Sequence, residues 1–399
     1  MIVLSSAAHR VQYNLQIRLI SALMNLFSRE SVSNNCKEKT MIVVLVTNIP
    51  SPYRVLQFDR VSQIIHDDFI VLYCAKTTST RKWLIPNIEH KHMFLKTSIL
   101  PNNHWYNPDI IKRLTSIDPD VIITTGLFPT SIIAFLYSKV HRIKHVYFSD
   151  SWLHSVNRLS SFHRWVRRMV IRSSSACVCV GNKGKEYLLK YGASLQDIFY
   201  SPLAIDNDFY AKFAKKPSQK KYDIIFSGQF VEGKMPFFVI DVVRLLYIAG
   251  LRVKLLLIGA GDLEDDILSS LNSYGIDFDY PGFIQQHELP RFYSNAKVLL
   301  FPSLDDAWGL VANEACAAGT PVITCKSTGV AGDLVRHNQN GYVLELDPQI
   351  WAEYILELLK DDSKLERFSV NGLKIVQEFS VEAAAKGLLN ASQHAISKL

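Results

Sequence analysis

The sequence predicts a two-domain α/β protein, each domain a parallel sheet covered on both faces by helices, with the two domains facing one another across a cleft. Three observations predict it. From Met41 onward, short β-branched runs alternate with longer amphipathic segments, which is the pattern of βαβ units. The runs are continuously apolar rather than alternating, as expected of strands buried on both faces. The alternation breaks once, at about 206 to 221, and then restarts.

The first domain, expected over 41–205, begins with MIVVLVT at 41 to 47 and continues with FIVLYC (69 to 74), DVIITTG (120 to 126), HVYFS (145 to 149) and ACVCVG (176 to 181). The break that follows is polar and lysine-rich and contains Pro217, as expected of an exposed connection between two cores. The second domain, expected over 206–380, carries YDIIFSG (222 to 228), RVKLLLIG (252 to 259), KVLLFPS (297 to 303) and TPVITC (320 to 325). Both domains are thus Rossmann-like, and a cleft between two such domains is the usual place for a ligand.

Composition narrows the classes. At 399 residues with 48% hydrophobic side chains, the chain can fill two cores. The formal charge of +7, from 44 basic and 37 acidic residues, is too modest to argue for nucleic acid and suits a smaller anionic partner such as a diphosphate or a lipid headgroup. The six cysteines (Cys36, Cys74, Cys177, Cys179, Cys316, Cys325) form no CxxC pair and no zinc spacing, so they read as buried thiols in a reducing compartment. Cys177 and Cys179 would share one strand face, which leaves a metal or redox role as the alternative. The longest apolar stretch, Val121 to Val140, is broken by Thr124, Thr125, Gly126, Pro129 and Ser138 and does not make a membrane span. Before Met41, Arg10 and Arg18 interrupt the apolar periodicity of residues 1–40 and argue against a cleaved signal peptide. That segment reads as an amphipathic surface helix over about 11 to 28 or as a non-native upstream start.

The most informative stretch is FPSLDDAWGLVANEACAAGTPVIT, residues 301 to 324. A strand, a loop with two carboxylates, Gly309 and a small-residue helix carrying Glu314 follow one another. A glycine at the mouth of a helix lets anionic oxygens approach the free amides of Gly309, Leu310 and Val311, where the helix dipole favours negative charge. Asp306 and Glu314 are eight positions apart, so both can face one ligand, and carboxylates accept hydrogen bonds from the paired hydroxyls of sugars and riboses. The plainer roles are a helix cap for Asp305 or Asp306 and a solvated helix position for Glu314.

With its WGL-x3-E-x4-G-x-PVI pattern, this region resembles the retaining glycosyltransferases of family 4, which have the GT-B architecture and a Glu-x7-Glu signature. The resemblance runs from about Met41 to the C-terminus and is strongest from 222 to 345. It implies that Asp306, one methylene shorter than the usual glutamate, contacts the transferred sugar and that Glu314 holds the nucleotide ribose. In FSGQFVEGKMP (226 to 236), Gly228 ends a strand and Lys234 supplies a point charge that can neutralise a leaving diphosphate. Relatives place an arginine after the strand glycine, and this chain has Gln229. In LLLIGAGDLEDDI, Gly259 and Gly261 occupy the place of the nucleotide-pocket glycines; Glu264 stands where a third glycine would complete GxGxxG. A tight strand-to-helix turn is their alternative role. The PGF segment at 281 to 283 makes Phe283 a candidate at the base. In the first domain, NIPSPYR (48 to 54) makes Tyr53 and Arg54 candidates at the diphosphate, and SDSW puts Ser149 and Asp150 where many relatives have a histidine near the reacting sugar, so Asp150 is either an acceptor or donor contact or a helix cap.

Phe162, Trp165, Val166, Met169 and Val170 recur at helical spacing, with Arg164, Arg167, Arg168 and Arg172 on the other side. This basic amphipathic helix, 162–173, either packs on the core with a solvated basic face or meets acidic headgroups at the inner face of the plasma membrane. The resemblance implies transfer of a hexose-type sugar from a UDP- or GDP-sugar, as co-substrate, to a glycan or lipid-linked glycan in bacterial surface polysaccharide assembly. It also implies a cytoplasmic location and no catalytic metal or other cofactor, and a helix over about 381–399 packing back on the first domain. The alternatives are a sugar-nucleotide epimerase of the same architecture and a nucleotide-binding scaffold without turnover, the latter motivated by Gln229, Asp306 and the missing histidine.

Overall fold

The computed structural model describes residues 41–65, 68–78, 83–100, 104–156 and 159–398; the expectation for residues 1–40 lies outside them. The first sheet has seven parallel strands in the order β3-β2-β1-β6-β7-β8-β9. In chain order these are β1 (Ile42–Thr47), β2 (Asp68–Tyr73), β3 (Lys91–Phe94), β6 (Val121–Thr125), β7 (Lys144–Ser149), β8 (Ala176–Cys179) and β9 (Ile198–Tyr200). A small antiparallel hairpin, β4 (Ser98–Leu100) and β5 (His104–Tyr106), stands apart. The second sheet, ordered β12-β11-β10-β13-β14-β15, comprises β10 (Tyr222–Ser227), β11 (Lys254–Ile258), β12 (Asp277–Asp279), β13 (Ala296–Phe301), β14 (Val322–Cys325) and β15 (Gly341–Leu344), again all parallel.

The nine strands read from apolar runs are all present, and the register pairs those runs directly: Leu45 opposes Val71 and Ile123, and Ile225 opposes Leu256 and Leu299. The strands that the sequence did not announce are those at or beside the sheet edges. β3 is KHMF, largely exposed, and β12 is DFD, exposed at Asp277 and half-buried at Phe278 and Asp279, so neither carries the continuous apolar run of a covered strand. An aspartate just before or at the start of a central strand ties the neighbouring strand in each sheet: Asp120 accepts the Ile42 amide at 2.8 Å and Asp223 the Lys254 amide at 2.9 Å.

The connection at 206 to 221 is not the exposed loop its composition suggests. Asn207, Tyr210, Pro217 and Lys220 are buried. Asn207 donates to the Val376 carbonyl at 2.9 Å, joining the two segments that cross between the domains. The Lys220 ammonium donates to the carbonyls of Ala296 (3.0 Å) and Gly319 (2.7 Å) and to the Thr320 hydroxyl (3.1 Å), and burial pulls its pKa down to about 7. A lysine-rich stretch looks solvated in sequence, yet one ammonium here braces three acceptors of the second domain.

The basic helix spans Ser161–Ser173, with Ser160 capping the His163 amide. Its buried stripe is centred on Val170 and Ile171, with Val166 and Met169 half-buried. Trp165 departs from the expected apolar face: it is 57% exposed and stacks on Phe162 at 6.1 Å. Arg167, placed by periodicity on the basic side, is half-buried. The reason is that Ile171 shares the core contact with Val170, which rotates the buried stripe toward Arg167 and away from Trp165.

The last helix, Val381–Ser397, lies on the first domain. The Ala384 carbonyl accepts from Ser201 (2.7 Å) and Gln57 (3.3 Å), and Asp197 takes His394 at 2.8 Å and Lys398 at 2.7 Å. At Gly387 the contact is backbone to backbone, since a Cβ there would sit 1.7 Å from the Tyr200 carbonyl oxygen. In an exposed helix Gly→Ala stabilises by about 1 kcal/mol. Here Gly387→Ala is expected to reverse that sign and destabilise by about 2 kcal/mol through overpacking, measured by denaturant unfolding; a stabilised variant would contradict this packing.

Candidate functional site

The candidate site lies beyond the C-terminal ends of strands from both sheets, where open α/β sheets bind ligands. A cavity of about 260 Å³ is walled on the second domain's side by Gly228, Lys234, Asp306, Gly309, Leu310 and Val311, and on the first domain's side by Tyr53 and Asp150. Eight of the residues singled out from sequence therefore meet in one place.

The open N-terminus that faces the cavity is built from Gly309 outward. Gly309 is the N-cap of the helix Leu310–Ala317 and has φ 108° and ψ 72°, a left-handed backbone in which a Cβ would come within 2.2 Å of the Phe301 ring. Only glycine fits there. Among the described residues no acceptor takes the amide hydrogens of Leu310 and Val311, so both remain available to an anion at the positive end of the helix.

Lys234 comes from the short turn Glu232–Lys234 after β10 and forms an ion pair with Asp306 Oδ2. Two hydrogen bonds lock the loops that carry them. The Gly233 carbonyl accepts the Leu304 amide at 3.0 Å and the Ser303 hydroxyl at 3.1 Å. Asp306 Oδ1 accepts the Trp308 amide at 3.2 Å, a local turn placed two residues before the helix begins, so Asp306 does not cap it. Asp150 does not cap either: the Ser151 amide goes to Ser149 Oγ (3.1 Å) and the Trp152 amide to Ser155 Oγ (3.3 Å), leaving the Asp150 carboxylate exposed toward the cavity.

Six other candidates do not line this cavity. Arg54 is buried, with its guanidinium 4.3 Å from the Phe148 ring centroid and 2.9 Å from Gln57 Oε1. Burial lowers its pKa, while Tyr53 and Asp150 act in the opposite sense. Gln229 points to solvent. Gly259 and Gly261 let two loops cross: a Cβ on Gly259 would lie 1.8 Å from the Gly228 carbonyl oxygen, and one on Gly261 2.4 Å from that of Phe230. Phe283 is 41% exposed beside Gly282.

Glu314 is buried behind the wall rather than on it. Its oxygens are taken by Tyr293 (2.8 Å) and Tyr210 (3.3 Å). The Tyr293 hydroxyl also lies 2.9 Å from Ser227 Oγ, and Ser227 does line the cavity. A phenol that donates to the carboxylate accepts from the serine, so Glu314 reaches the cavity through two hydroxyls. Burial pushes its carboxyl up to about 7, while the hydrogen bonds from Tyr293 and Tyr210 act to lower it. Neither tyrosine was legible: Tyr210 falls in the stretch read as an exposed connection, and Tyr293 precedes β13 in a segment with no motif. The burial of Glu314 was the signal that would have called for them.

Two larger cavities, of about 440 and 340 Å³, open near the segments that cross between the domains. The larger is lined by Asp59, Glu89, Asp206, Asp208 and Glu382 against Arg60, an arrangement that repels an anion, and the other carries Asp59 and Asp206 with no lysine or arginine among its described lining residues. Among the described residues no group of three or more His, Cys, Asp or Glu is placed to hold a metal ion, and no helix is long and apolar enough to cross a membrane. Cys74, Cys177, Cys179, Cys316 and Cys325 are buried free thiols.

The family model described as Glycosyltransferase Family 4 matches residues 73–209, and the one described as Glycosyl transferases group 1 matches residues 208–375. The chain is 30% identical over 200 residues to the capsular polysaccharide biosynthesis glycosyltransferase CapM of Staphylococcus aureus, covering 50% of this chain and 52% of CapM. It is 30% identical over 117 residues to a D-inositol 3-phosphate glycosyltransferase of Nocardioides sp., covering 29% of this chain and 25% of that one. These matches therefore span about a quarter to a half of the relatives' own lengths. Among solved structures, HepE of Anabaena in complex with UDP superposes with a TM-score of 0.71 at 16% identity, over 90% of this chain and 100% of HepE. That likeness establishes the two-domain GT-B fold.

The raised Glu314 carboxyl has a signed consequence. Its folded-state pKa of about 7 exceeds the ordinary 4.5, so the folded protein binds more protons between these values and stability falls as pH rises through that window. Glu314→Gln is expected to remove this slope, shifting the stability difference toward the variant by up to about 3 kcal/mol between pH 4.5 and 8. Parallel denaturation curves across that range would contradict the assignment.

Proposed function

The chain belongs to the group 1 and family 4 glycosyltransferases, and on that premise we propose that it transfers a hexose-type sugar from a UDP- or GDP-sugar to a glycan or lipid-linked glycan, with retention, in surface polysaccharide assembly. The observation that carries this reading is the convergence of Lys234 with the open amides of Leu310 and Val311 on one cavity, opposite Tyr53 and Asp150. The relatives supply the direction: CapM is a capsular polysaccharide glycosyltransferase, and HepE holds UDP.

The chemistry follows from where charge develops. As the bond between the sugar and the diphosphate breaks, negative charge grows on the leaving phosphate, and preorganised donors lower the barrier because they need no reorientation. The helix N-terminus takes one phosphate by its backbone amides. Lys234 turns from Asp306 to the other, which frees the Asp306 carboxylate to accept sugar hydroxyls. Asp150, on the opposite domain, faces the acceptor side of the cavity. Ser227, backed by Tyr293 and Glu314, offers a hydroxyl to the nucleotide's ribose. The lining residues include two carboxylates, Asp150 and Asp306, and one cation, Lys234, so the amides carry a larger share of the anion's binding than they would beside a second cation at 229.

The test is a panel of labelled UDP- and GDP-sugars offered to the purified protein with membrane extract as acceptor. Release of nucleoside diphosphate with labelled acceptor supports transfer; an isomeric sugar nucleotide without release indicates an epimerase; binding with neither indicates a scaffold. Lys234→Met is expected to lower kcat by about 100-fold or more while the protein remains folded. Unchanged turnover would remove Lys234 from the mechanism.

We place the working protein on the inner face of the plasma membrane through the helix Ser161–Ser173, where exposed Trp165 and the exposed Arg164, Arg168 and Arg172 combine an interfacial ring with positive charge. Each such cation near an anionic surface contributes about 1 kcal/mol. Co-sedimentation with phosphatidylglycerol vesicles is expected to exceed that with phosphatidylcholine vesicles and to fall about tenfold in Arg168→Glu/Arg172→Glu. Equal binding to both vesicle types would count against membrane contact.

A further inference from the structure

The loop carrying Asp306 is held from the opposite domain. Trp152, buried at the end of the SDSW segment, donates its indole N–H to Asp305 Oδ1 at 2.8 Å. The imidazole of His154 lies 3.4 Å from the other oxygen of the same carboxylate. Lys183, near the start of the helix Asn182–Tyr191, stands over the Trp152 ring at 4.7 Å. Its ammonium donates to the carbonyls of Lys326 and of Thr328, the latter at 2.7 Å. Those carbonyls belong to the strip that is bonded to the carboxylate loop: the Asp306 amide donates to the Ser327 carbonyl at 3.2 Å, and the Gly329 amide donates to the Asp306 carbonyl at 2.8 Å. Asp306 and Thr328 face each other as an isolated parallel bridge. Gly329 is close enough to Ala307 that a Cβ would meet its carbonyl oxygen at 1.9 Å, so the two strips cannot slide independently.

We infer that Trp152 and Lys183 form an interdomain clamp that sets the 305–306 loop from both sides, and that Trp152 is a positioning residue for Asp306 and, through it, for Lys234. The inference rests on the proposed transferase reading for its effect on turnover. Trp152 holds Asp305 by its side chain, and Lys183 holds the backbone strip on which Asp306 is hung. Since the two clamp residues stack on each other, they act as one unit. A displacement of about 1 Å at a reacting group costs up to about 100-fold in rate, so a clamp at the neighbouring position has leverage without touching the ligand. It also makes the geometry at Asp306 depend on both domains being together, because Asp305, Lys326 and Thr328 are on one domain and Trp152 and Lys183 on the other.

The experiment compares Trp152→Phe, Lys183→Met, Asp305→Ala and Asp305→Asn with the wild type. Trp152→Phe keeps a six-membered aromatic ring under Lys183 but loses the pyrrole half of the indole with its N–H, so the Asp305 variants isolate the hydrogen bond; Asp305→Asn keeps an acceptor for it. Trp152→Phe and Asp305→Ala are expected to lower kcat at least about tenfold with donor KM changed less than about threefold and to show no further loss when combined, while Asp305→Asn, which keeps an acceptor for the intact indole, is expected to restore most of the rate lost in Asp305→Ala. Hydrogen exchange gives a readout that needs no turnover: peptides covering 304–310 and 326–331 should exchange about tenfold faster in Trp152→Phe and Lys183→Met than in the wild type, with the rest of the second domain unchanged. Additive losses in the double variant, or exchange at wild-type rates in both single variants, would overturn the clamp. If the wild type transfers no sugar from any donor, the functional reading falls and the exchange data alone uphold or overturn the clamp.

Discussion

Lys234 and Asp306 lie in two different loops of one sheet, and their ion pair is supported by hydrogen bonds from the carboxylate loop to a carbonyl of the lysine turn. Gly233 O receives the Leu304 amide and the Ser303 hydroxyl, so the turn presenting the ammonium and the loop presenting the carboxylate move as one piece. A half-buried lysine without a counter-charge would be drawn out to solvent; the carboxylate keeps it inside the cavity. On the proposed reading, an arriving diphosphate would replace one anionic partner by another, which spares most of the cost of desolvating the ammonium afresh. The same pairing explains why a cavity lined by two acids and a single lysine is still suited to an anion: one acid is already neutralised, and the helix amides supply the remaining positive potential.

Behind that front wall the site is stiffened by a polar layer. Glu314 is buried and keeps both oxygens bonded, to Tyr210 from the interdomain connection and to Tyr293 from the helix before β13. A buried carboxylate left with fewer donors would be far more costly than one so satisfied. The arrangement ties the connection, the nucleotide-side wall through Ser227, and the helix Leu310–Ala317 into one network. Trp308 adds a second link: its indole N–H donates to Asn313, whose amide donates to the Leu203 carbonyl of the chain entering from the first domain, at 2.8 and 3.1 Å. The site is therefore supported from both domains, through the Trp152 and Lys183 contacts, the Leu203 contact and the Asn182–Asp333 pair.

Much of this was legible in the sequence. The covered strands announced themselves because a strand packed on both faces needs a continuous apolar run, and β1, β6, β10, β11 and β13 have one. Gly309 and the helix after it were legible because a left-handed backbone and open amides leave a strict local signature. Lys234 and Asp306 could be named from the loops that follow strand ends. Edge strands such as KHMF were not legible, since exposure removes the hydrophobic constraint that makes a strand recognisable. Trp165 and Arg167 were assigned to the wrong sides because helical periodicity fixes relative angles within the helix, while the rotation of the stripe depends on which neighbour Val170 and Ile171 find.

By itself, then, the sequence determined the two parallel-sheet domains, the loops at their strand ends and the residue types those loops present, all properties set by local backbone preference and burial pattern. What only the tertiary structure decided was partnership: that Lys234 rests on Asp306, that Glu314 stands behind the cavity with the hydroxyls of Tyr293 and Ser227 between, that Gly259 and Gly261 serve a loop crossing, and that Trp152 reaches across 153 positions to Asp305. Such pairings depend on how two sheets are set against each other, and no local spacing encodes the distance between residues brought together by the packing of separate domains.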